Sequence, residues 1–304
     1  MIDMKSGSGG FENALTILEN SRSLELKREL KMALKDIQAG QDAQAHKRLA
    51  ALLDRLDAPS DLWLHRKWDR RLDQQAAALS FADQDRAVLK RKLRRAFLDR
   101  FDRAERGTDP FPYFTAPQTL PDEMYLALLL AAPHVSAFRA HTNADYLQQG
   151  QFQRYFTAIT PEALSASHPR SQTLWMAINE VFHDPDIIAR MCECLDIVVP
   201  PRWRVVTRLQ LDRCGAHIAP HLDGEHGGLF TFQMYFPLNK DNFDTGTSLF
   251  RKQGSAFETV HKFTYAPNFA YGFKISDSSW HGALEGLDPL AEGRMSLVVR
   301  LFKD

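Results

Sequence analysis

Excess charge is what this sequence most plainly lacks. Its 304 residues carry 38 Lys and Arg against 38 Asp and Glu, a formal net charge of zero. A chain without a surplus of either sign offers no global field for nucleic acid or an anionic membrane surface. Cysteine is scarce as well: Cys192, Cys194 and Cys214 are all there are. An odd, sparse set argues against a disulfide framework and for a reducing compartment, so a cytoplasmic location is expected. Cys192-Glu193-Cys194 has no second Cys or His pair of matching spacing, so it reads as buried thiols on a helix rather than a zinc site. No apolar run approaches the length that spans a bilayer. Residues 1–10 have no apolar core of a secretory signal and read as a flexible tail. The remainder is ordinary for a soluble chain, 44% hydrophobic and 25% charged, which suffices for one large domain or two of usual size.

The pattern changes along the chain. Residues 11–107 read as a helical N-terminal region. Leu24, Leu26, Leu30, Ala33, Leu34 and Ile37 fall near helical spacing. Ala39-Gly40-Gln41-Asp42 reads as a stop and restart. A second helix through Leu49, Leu52, Leu53 and Leu56 closes a helical hairpin, and Ser60 or Asp61 caps the next helix. Lys90-Arg91-Lys92 with Arg94 and Arg95 is a basic cluster. Asp83, Asp85, Asp99, Asp102 and Glu105 lie close enough to make it a solvated face of mixed sign, in preference to a dock for an acidic partner. Gly107 to Pro112 breaks the helical pattern and sets an expected boundary, with residues 108–304 as the second unit. In it, helices are expected over 121–133, near 172–181, and from Asp184 to about Leu195. After Pro200-Pro201 come short strands: 202–211, 230–238, 245–251, 257–265, 268–275 and 294–302. Separated by Gly, Pro, Asn and Asp, they read as a sandwich or jelly roll.

The chemistry-bearing residues lie in this last part. His221 and Asp223 are two apart on an extended segment, so their side chains leave the same face. His281 offers a third donor. Two histidines and a carboxylate hold non-haem Fe(II) with coordination positions open. Taken alone, Asp223-Gly224 also fits a polar turn. Among the other histidines, His217 is poorly placed to chelate beside His221, His226 sits in a Gly-rich turn within reach of a substrate, and His261 is mid-strand and structural. Trp280 reads as packing. Arg294 and Ser296 share one face of a strand. A guanidinium fork there suits a carboxylate ligand, or else a salt bridge. Arg300 shares their parity and fits either a substrate contact or an ion pair. Alternation in 230–236 sets Thr231, Gln233 and Tyr235 against an apolar face, and this polar set is expected to line the site, with Arg208 and Gln210 on the preceding strand. Arg251 and the loop 239–244 are placed to reach substrate.

The ordered set His221-x-Asp223, His281 and Arg294-x-Ser296 resembles the Fe(II)/2-oxoglutarate-dependent oxygenases over roughly the last third of the chain. The resemblance implies an α+β fold: a double-stranded β-helix (jelly-roll) core braced by helices and preceded by the helical region. It implies Fe(II) on His221, Asp223 and His281. It implies 2-oxoglutarate with its far carboxylate on Arg294, supported by Ser296, Tyr235 and Gln233, and O₂ as the second co-substrate. The reaction implied is hydroxylation of an unactivated C–H with release of succinate and CO₂. Related halogenating enzymes lack the carboxylate that Asp223 supplies. Arg208, His226, Arg251 and Arg300 are the candidate substrate contacts. The substrate stays open among a small molecule, an amino acid, a peptidyl side chain and a carrier- or glycan-linked group. The N-terminal helices suit a bulky or tethered substrate, a protein partner or a homodimer. Two other readings stand beside this one. A cupin-type metal enzyme without 2-oxoglutarate predicts no role for Arg294. A non-enzymatic interaction protein would dock through the helices, a use that fold alone does not exclude.

Overall fold

In the computed structural model the described residues are 72–133, 137–140, 154–165, 167–212, 216, 218–223, 227–237, 245–283 and 294–304. The tail 1–10, the hairpin through Leu24 to Leu56, Cys214, His217, His226 and the loop 239–244 lie outside them.

Two helices open the described chain, α1 (Leu72–Ala82) and α2 (Arg86–Phe101). Asp85 caps α2 by accepting the Val88 amide at 3.0 Å, which satisfies one of the free donors of a helix start. Leu89, Leu93, Phe97 and Phe101 recur at helical spacing and are buried. The basic cluster lies on the other side: Arg91, Lys92 and Arg95 are exposed, while Arg94 pairs with Asp184 at 2.9 Å and Arg86 with Glu180. The face is one of mixed sign. The helix ends at Phe101, short of the expected limit near 107, and Glu105–Gly107 is a strand, β1.

The remaining elements come in this order: β2 (Tyr113–Pro117), α3 (Asp122–Leu130), β3 (Arg139–Ala140), β4 (Arg154–Ala158), α4 (Pro169–Phe182) and α5 (Pro185–Cys194). Then come β5 (Trp203–Asp212), β6 (Ile218–His221), β7 (Gly228–Phe236), β8 (Ser248–Gln253), β9 (Ala256–Lys262), β10 (Phe269–Lys274), β11 (His281–Ala283) and β12 (Arg294–Lys303). Asp184 caps α5 and Pro185 fills its first turn, where a missing N–H costs nothing. Cys192 and Cys194 are buried on α5, and burial pushes the Cys192 thiol up to about 11, as expected of inert thiols.

The strands form two antiparallel sheets. One has the order β1-β2-β10-β7-β12-β5-β4-β3, the other β6-β11-β8-β9. Alternation assigns the faces of the larger sheet. Phe230, Phe232, Met234 and Phe236 of β7 and Met295, Leu297, Val299 and Leu301 of β12 share one buried cluster with α2, α4 and α5. The alternate residues of β7 and β12 face the smaller sheet, where Tyr235, Tyr271 and Phe273 meet Leu249, Phe263 and Tyr265. Burial of each such ring contributes on the order of 1.5–3 kcal/mol. The core also runs through the boundary expected at residue 107. Phe101 of α2 meets Phe114 and Phe232, each at 5.8 Å between ring centroids, and Phe97 meets Phe182 at 4.9 Å. Helix α2 therefore braces the sheet as α4 and α5 do, and Ala78 and Phe81 of α1 join the same buried cluster. Among the described residues no helix is long and apolar enough to cross a membrane.

Candidate functional site

Two short strands build the metal-donor set. β6 and β11 pair with His221 directly opposite His281, which sets their ring centroids 4.3 Å apart. The pairing shifts register immediately after His281. Gly282 lies there, and a Cβ on it would fall 2.6 Å from the Ile218 carbonyl oxygen. Only glycine permits that approach, so a residue without a side chain comes after the second histidine. Asp223 stands just past the end of β6. The larger sheet fixes it: Thr231 of β7 donates to it at 2.8 Å, and the Arg300 guanidinium of β12 donates to its other oxygen.

One ligand atom from each of His221, Asp223 and His281 lies within 4.8 Å of the other two. The Nε2 atoms of His221 and His281 are 4.0 and 3.7 Å from the Asp223 carboxylate. Each Nδ1 meets a backbone carbonyl two residues earlier, Ala219 at 2.9 Å and Ser279 at 3.0 Å. A carbonyl only accepts, so each Nδ1 carries the proton and each Nε2 presents its lone pair. Burial, with His281 beside it, brings His221 down to about 3 against the pull of Asp223. Burial likewise lowers His281. Burial by itself would raise Asp223, but Arg300 and the two histidines hold it well below the usual carboxylate range. At neutral pH the set is two neutral imidazoles and one carboxylate, ready to take a divalent cation with no proton to displace. Nitrogen and oxygen donors in this number, with no thiolate, suit Fe(II).

Beneath the donors lies a cavity lined by His221, His281, Arg154, Arg208, Gln210, Gln233, Thr247, Arg294 and Arg300. Arg294 is buried, and its Nε and Nη2 both donate to Asp212 Oδ2, at 3.1 and 2.7 Å. Its Nη1 donates to the Thr245 carbonyl. Asp212 is wholly buried and also accepts from Arg154 at 3.0 Å and Gln210 at 3.0 Å. Burial would raise this carboxyl, but Arg154 and Arg294 outweigh it and keep Asp212 ionised. Burial would lower Arg294, and Asp212 outweighs that in turn. A guanidinium has five N–H donors in a planar fork. With one side edge on Asp212, one N–H on each terminal nitrogen is left to grip a second carboxylate end-on.

The other anticipated residues divide. Gln233 and Arg208 line the cavity, whereas Tyr235 and Ser296 do not. Tyr235 sits behind the wall: its hydroxyl bonds the Thr247 hydroxyl at 3.1 Å and accepts the Thr247 amide at 3.0 Å. Ser296 is buried opposite Gln210 and Tyr235. Arg300, open between a substrate contact and an ion pair, makes the ion pair to Asp223. Arg251 is away from the cavity, exposed and paired with Asp109 at 2.6 Å and Glu258 at 2.8 Å. Its place near the solvent end of β8, opposite Glu258, is the physical reason it does not reach the site. His261 stacks on Tyr113 at 4.6 Å, and Trp280 packs on Phe257 at 5.0 Å. Asp212, Arg154 and Thr247 were not anticipated. The alternation Arg208, Gln210, Asp212 on β5 carried a signal for Asp212. For Arg154 the strand-forming run Tyr155-Phe156-Thr157 was the available signal, but only the pairing of β4 with β5 brings it to Asp212.

Fold and site together define a two-histidine, one-carboxylate centre set between two facing antiparallel sheets, with a buried arginine beneath. No family model matches the sequence, and no curated protein matches it. Solved structures similar to this chain include a prolyl hydroxylase from Trichoplax adhaerens in complex with a hypoxia-inducible-factor peptide fragment. It is 10% identical, with 79% of this chain and 94% of that one covered and a TM-score of 0.44. A prolyl-4-hydroxylase from Pseudomonas putida is 13% identical over 63% of this chain and 92% of that one, TM-score 0.42. A 2OG-Fe(II) oxygenase family protein from Burkholderia pseudomallei is 14% identical over 72% and 92%, TM-score 0.42.

Proposed function

We propose that the protein is an Fe(II)- and 2-oxoglutarate-dependent oxygenase on a double-stranded β-helix core, hydroxylating an unactivated C–H of an organic substrate. The observation that carries this reading is the donor set of His221, Asp223 and His281, with ligand atoms within 4.8 Å of one another, above a cavity that holds Arg294. Fe(II) with 2-oxoglutarate and O₂ supplies the oxidising chemistry and releases succinate and CO₂. The chain supplies everything that orients it. His221, Asp223 and His281 hold the metal. Arg300 and Thr231 aim the Asp223 carboxylate. Arg294 grips the far carboxylate of 2-oxoglutarate with the free end of its fork, and Asp212 keeps that fork in one orientation. Gln233 and Thr247 add hydrogen bonds from the same wall, with Tyr235 holding Thr247 in place and Ser296 buried opposite Tyr235. Phe273 packs against the His281 ring at 4.5 Å and helps hold it in place. Helices α1 and α2 belong to this unit through the shared core.

The test is a titration of Fe(II) and 2-oxoglutarate without oxygen, monitored by the weak visible charge-transfer band of the chelate. Wild type is expected to give the band. Asp223→Ala is expected to lose the metal. Arg294→Ala is expected to keep Fe(II) but to need at least about tenfold more 2-oxoglutarate, a loss of roughly 1.4 kcal/mol. Fe(II) bound with no band would replace this reading by a metal enzyme that does not use 2-oxoglutarate.

A further inference from the structure

The metal centre makes no use of a second concavity, a groove of about 510 Å³ between α1, α2 and the start of α3. Helix α1 packs against α3, and α2 against α4 and α5. The strip between α1 and α2 is left open. Ala77, Ser80 and Phe81 of α1 line it. From α2 come Lys92, Arg95, Ala96 and Asp99, at i, i+3, i+4 and i+7. Residues so spaced share one face of a helix, so each helix turns one face to the groove. Ala77 and Ser80 are exposed and Ala96 is half-buried. Such small residues let a third helix approach closely. Phe81 and Met124 add larger apolar groups, and Lys92 reaches over the Phe81 ring, its Nζ 6.0 Å from the centroid. A trough of this kind is the form that receives an amphipathic helix.

The chain ahead of α1 supplies a fitting sequence. Leu49, Leu52, Leu53 and Leu56 recur at i, i+3, i+4 and i+7, one apolar stripe of a helix. At about 100° per residue, a helix over them would carry Asp54 and Asp57 along one edge of the stripe and Arg48 and Arg55 along the other. The groove is charged in the complementary sense: α2 offers Lys92 and Arg95, and α3 offers Glu123. Asp99 takes up part of Arg95, at 3.8 Å. Lys92 meets the Phe81 ring and, among the described residues, no carboxylate. Gln84 also lines the groove, and its buried Oε1 has no donor. The tether is long enough. Residues 57–71 reach up to about 50 Å, against roughly 17 Å for the whole of α1. A tethered helix meets its seat at an effective concentration on the order of millimolar, so a modest apolar contact holds it.

We propose that residues 46–57 dock as an amphipathic helix in the groove of their own chain. The leucine stripe lies on Ala77, Phe81, Ala96 and Met124, and the Asp54–Asp57 edge runs along Lys92 and Arg95. The stripe then belongs to the helical layer that braces the larger sheet, and is not a surface kept for a substrate or a second protein. This assignment stands apart from the reading of the metal centre.

The experiment is hydrogen exchange of the whole chain, read by mass spectrometry over residues 46–57, with sedimentation at the same concentrations to give the oligomeric state. Wild type is expected to exchange these amides at least about tenfold more slowly than a free peptide of the same sequence. Ala77→Arg with Ser80→Arg fills the groove from exposed positions with a good helix former. It is expected to abolish that protection while Leu89 to Phe101 of α2 stay protected. Fast exchange in wild type overturns the proposal. So does protection that survives the arginine pair, which would seat the segment elsewhere. Protection that grows with protein concentration as a dimer forms gives the groove to a second copy and overturns docking within one chain. Where the arginine pair disturbs α2, Lys92→Glu decides from its exposed position: protection is expected to fall severalfold, and unchanged protection overturns the proposal.

Discussion

A carboxylate with no water around it depends on its counter-charges, and Asp212 has Arg294 and Arg154. The dependence is mutual, because removing Asp212 strands two guanidinium groups at a buried face. Asp212→Asn is expected to cost about 3–5 kcal/mol of stability, read as a lowered urea midpoint at unchanged slope. The histidines behave in the opposite sense to a stabilised cation. His221 is held down to about 3 from the usual 6.5, so between those values the unfolded chain binds a proton that the folded chain refuses. Stability then rises with pH across that window and is lost as pH falls through it. Asp212, held below its usual 3.8, extends the loss at the acid end. Metal-free protein is therefore expected to show a melting temperature that is level above about pH 7 and falls steadily below about 6.5, set by the unfolded histidine. A melting temperature that rose on acidification would contradict the buried, neutral histidines.

At the scale of elements, the centre depends on β6 and β11, of four and three residues. Strands this short have little pairing energy of their own. The close approach at Gly282 keeps them in place, with a would-be Cβ only 2.6 Å from the Ile218 oxygen and 3.0 Å from that of Ala219. Gly282→Ala must push the two strands apart and with them His281 from His221. Metal affinity, measured by Fe(II) titration, is expected to fall by about 10–100-fold, the range seen when supports of metal ligands are lost. The melting temperature of the metal-free variant should move far less, because β12, β7 and β5 carry the larger sheet without β11. β7 works differently. Its alternation lets one strand seal the core with Phe230, Phe232, Met234 and Phe236 while presenting Thr231 to Asp223 and Gln233 to the cavity.

For the molecule as a whole, the packing converges on Phe232. Its ring lies 5.3 Å from that of Phe182, 5.8 Å from Phe101 and 6.3 Å from Phe114. One side chain thus joins α4, α2 and two strands. Phe232→Ala is expected to cost about 3–5 kcal/mol, measured by denaturant unfolding. A metal-binding defect in that variant should appear only in proportion to the unfolded fraction, since Phe232 points away from the cavity. The same convergence draws α2 into the core beneath the sheet that carries the candidate site.

How far the site could be read from the chain depends on the range of each signal. Alternation and helical spacing are local, so β5, β7, β10 and β12, α3 to α5, and the polar face of β7 were legible, as were His221, Asp223, His281, Arg294 and Ser296 as candidates. Strand pairing is not local. That His221 faces His281, that Arg300 serves Asp223, that Tyr235 supports Thr247 and that Arg251 turns away were decided by register between segments far apart in sequence. Asp212 and Arg154 show this most clearly. Alternation on β5 puts Asp212 on the same face as Arg208 and Gln210, but its pairing with Arg154 and Arg294 exists only because β4, β5 and β12 lie side by side. The sequence by itself determined which side chains share a face and which can hold a metal, because backbone geometry sets the period. Only the tertiary structure decided which of those faces meet, because burial and charge pairing act between strands that the chain brings together only when it folds.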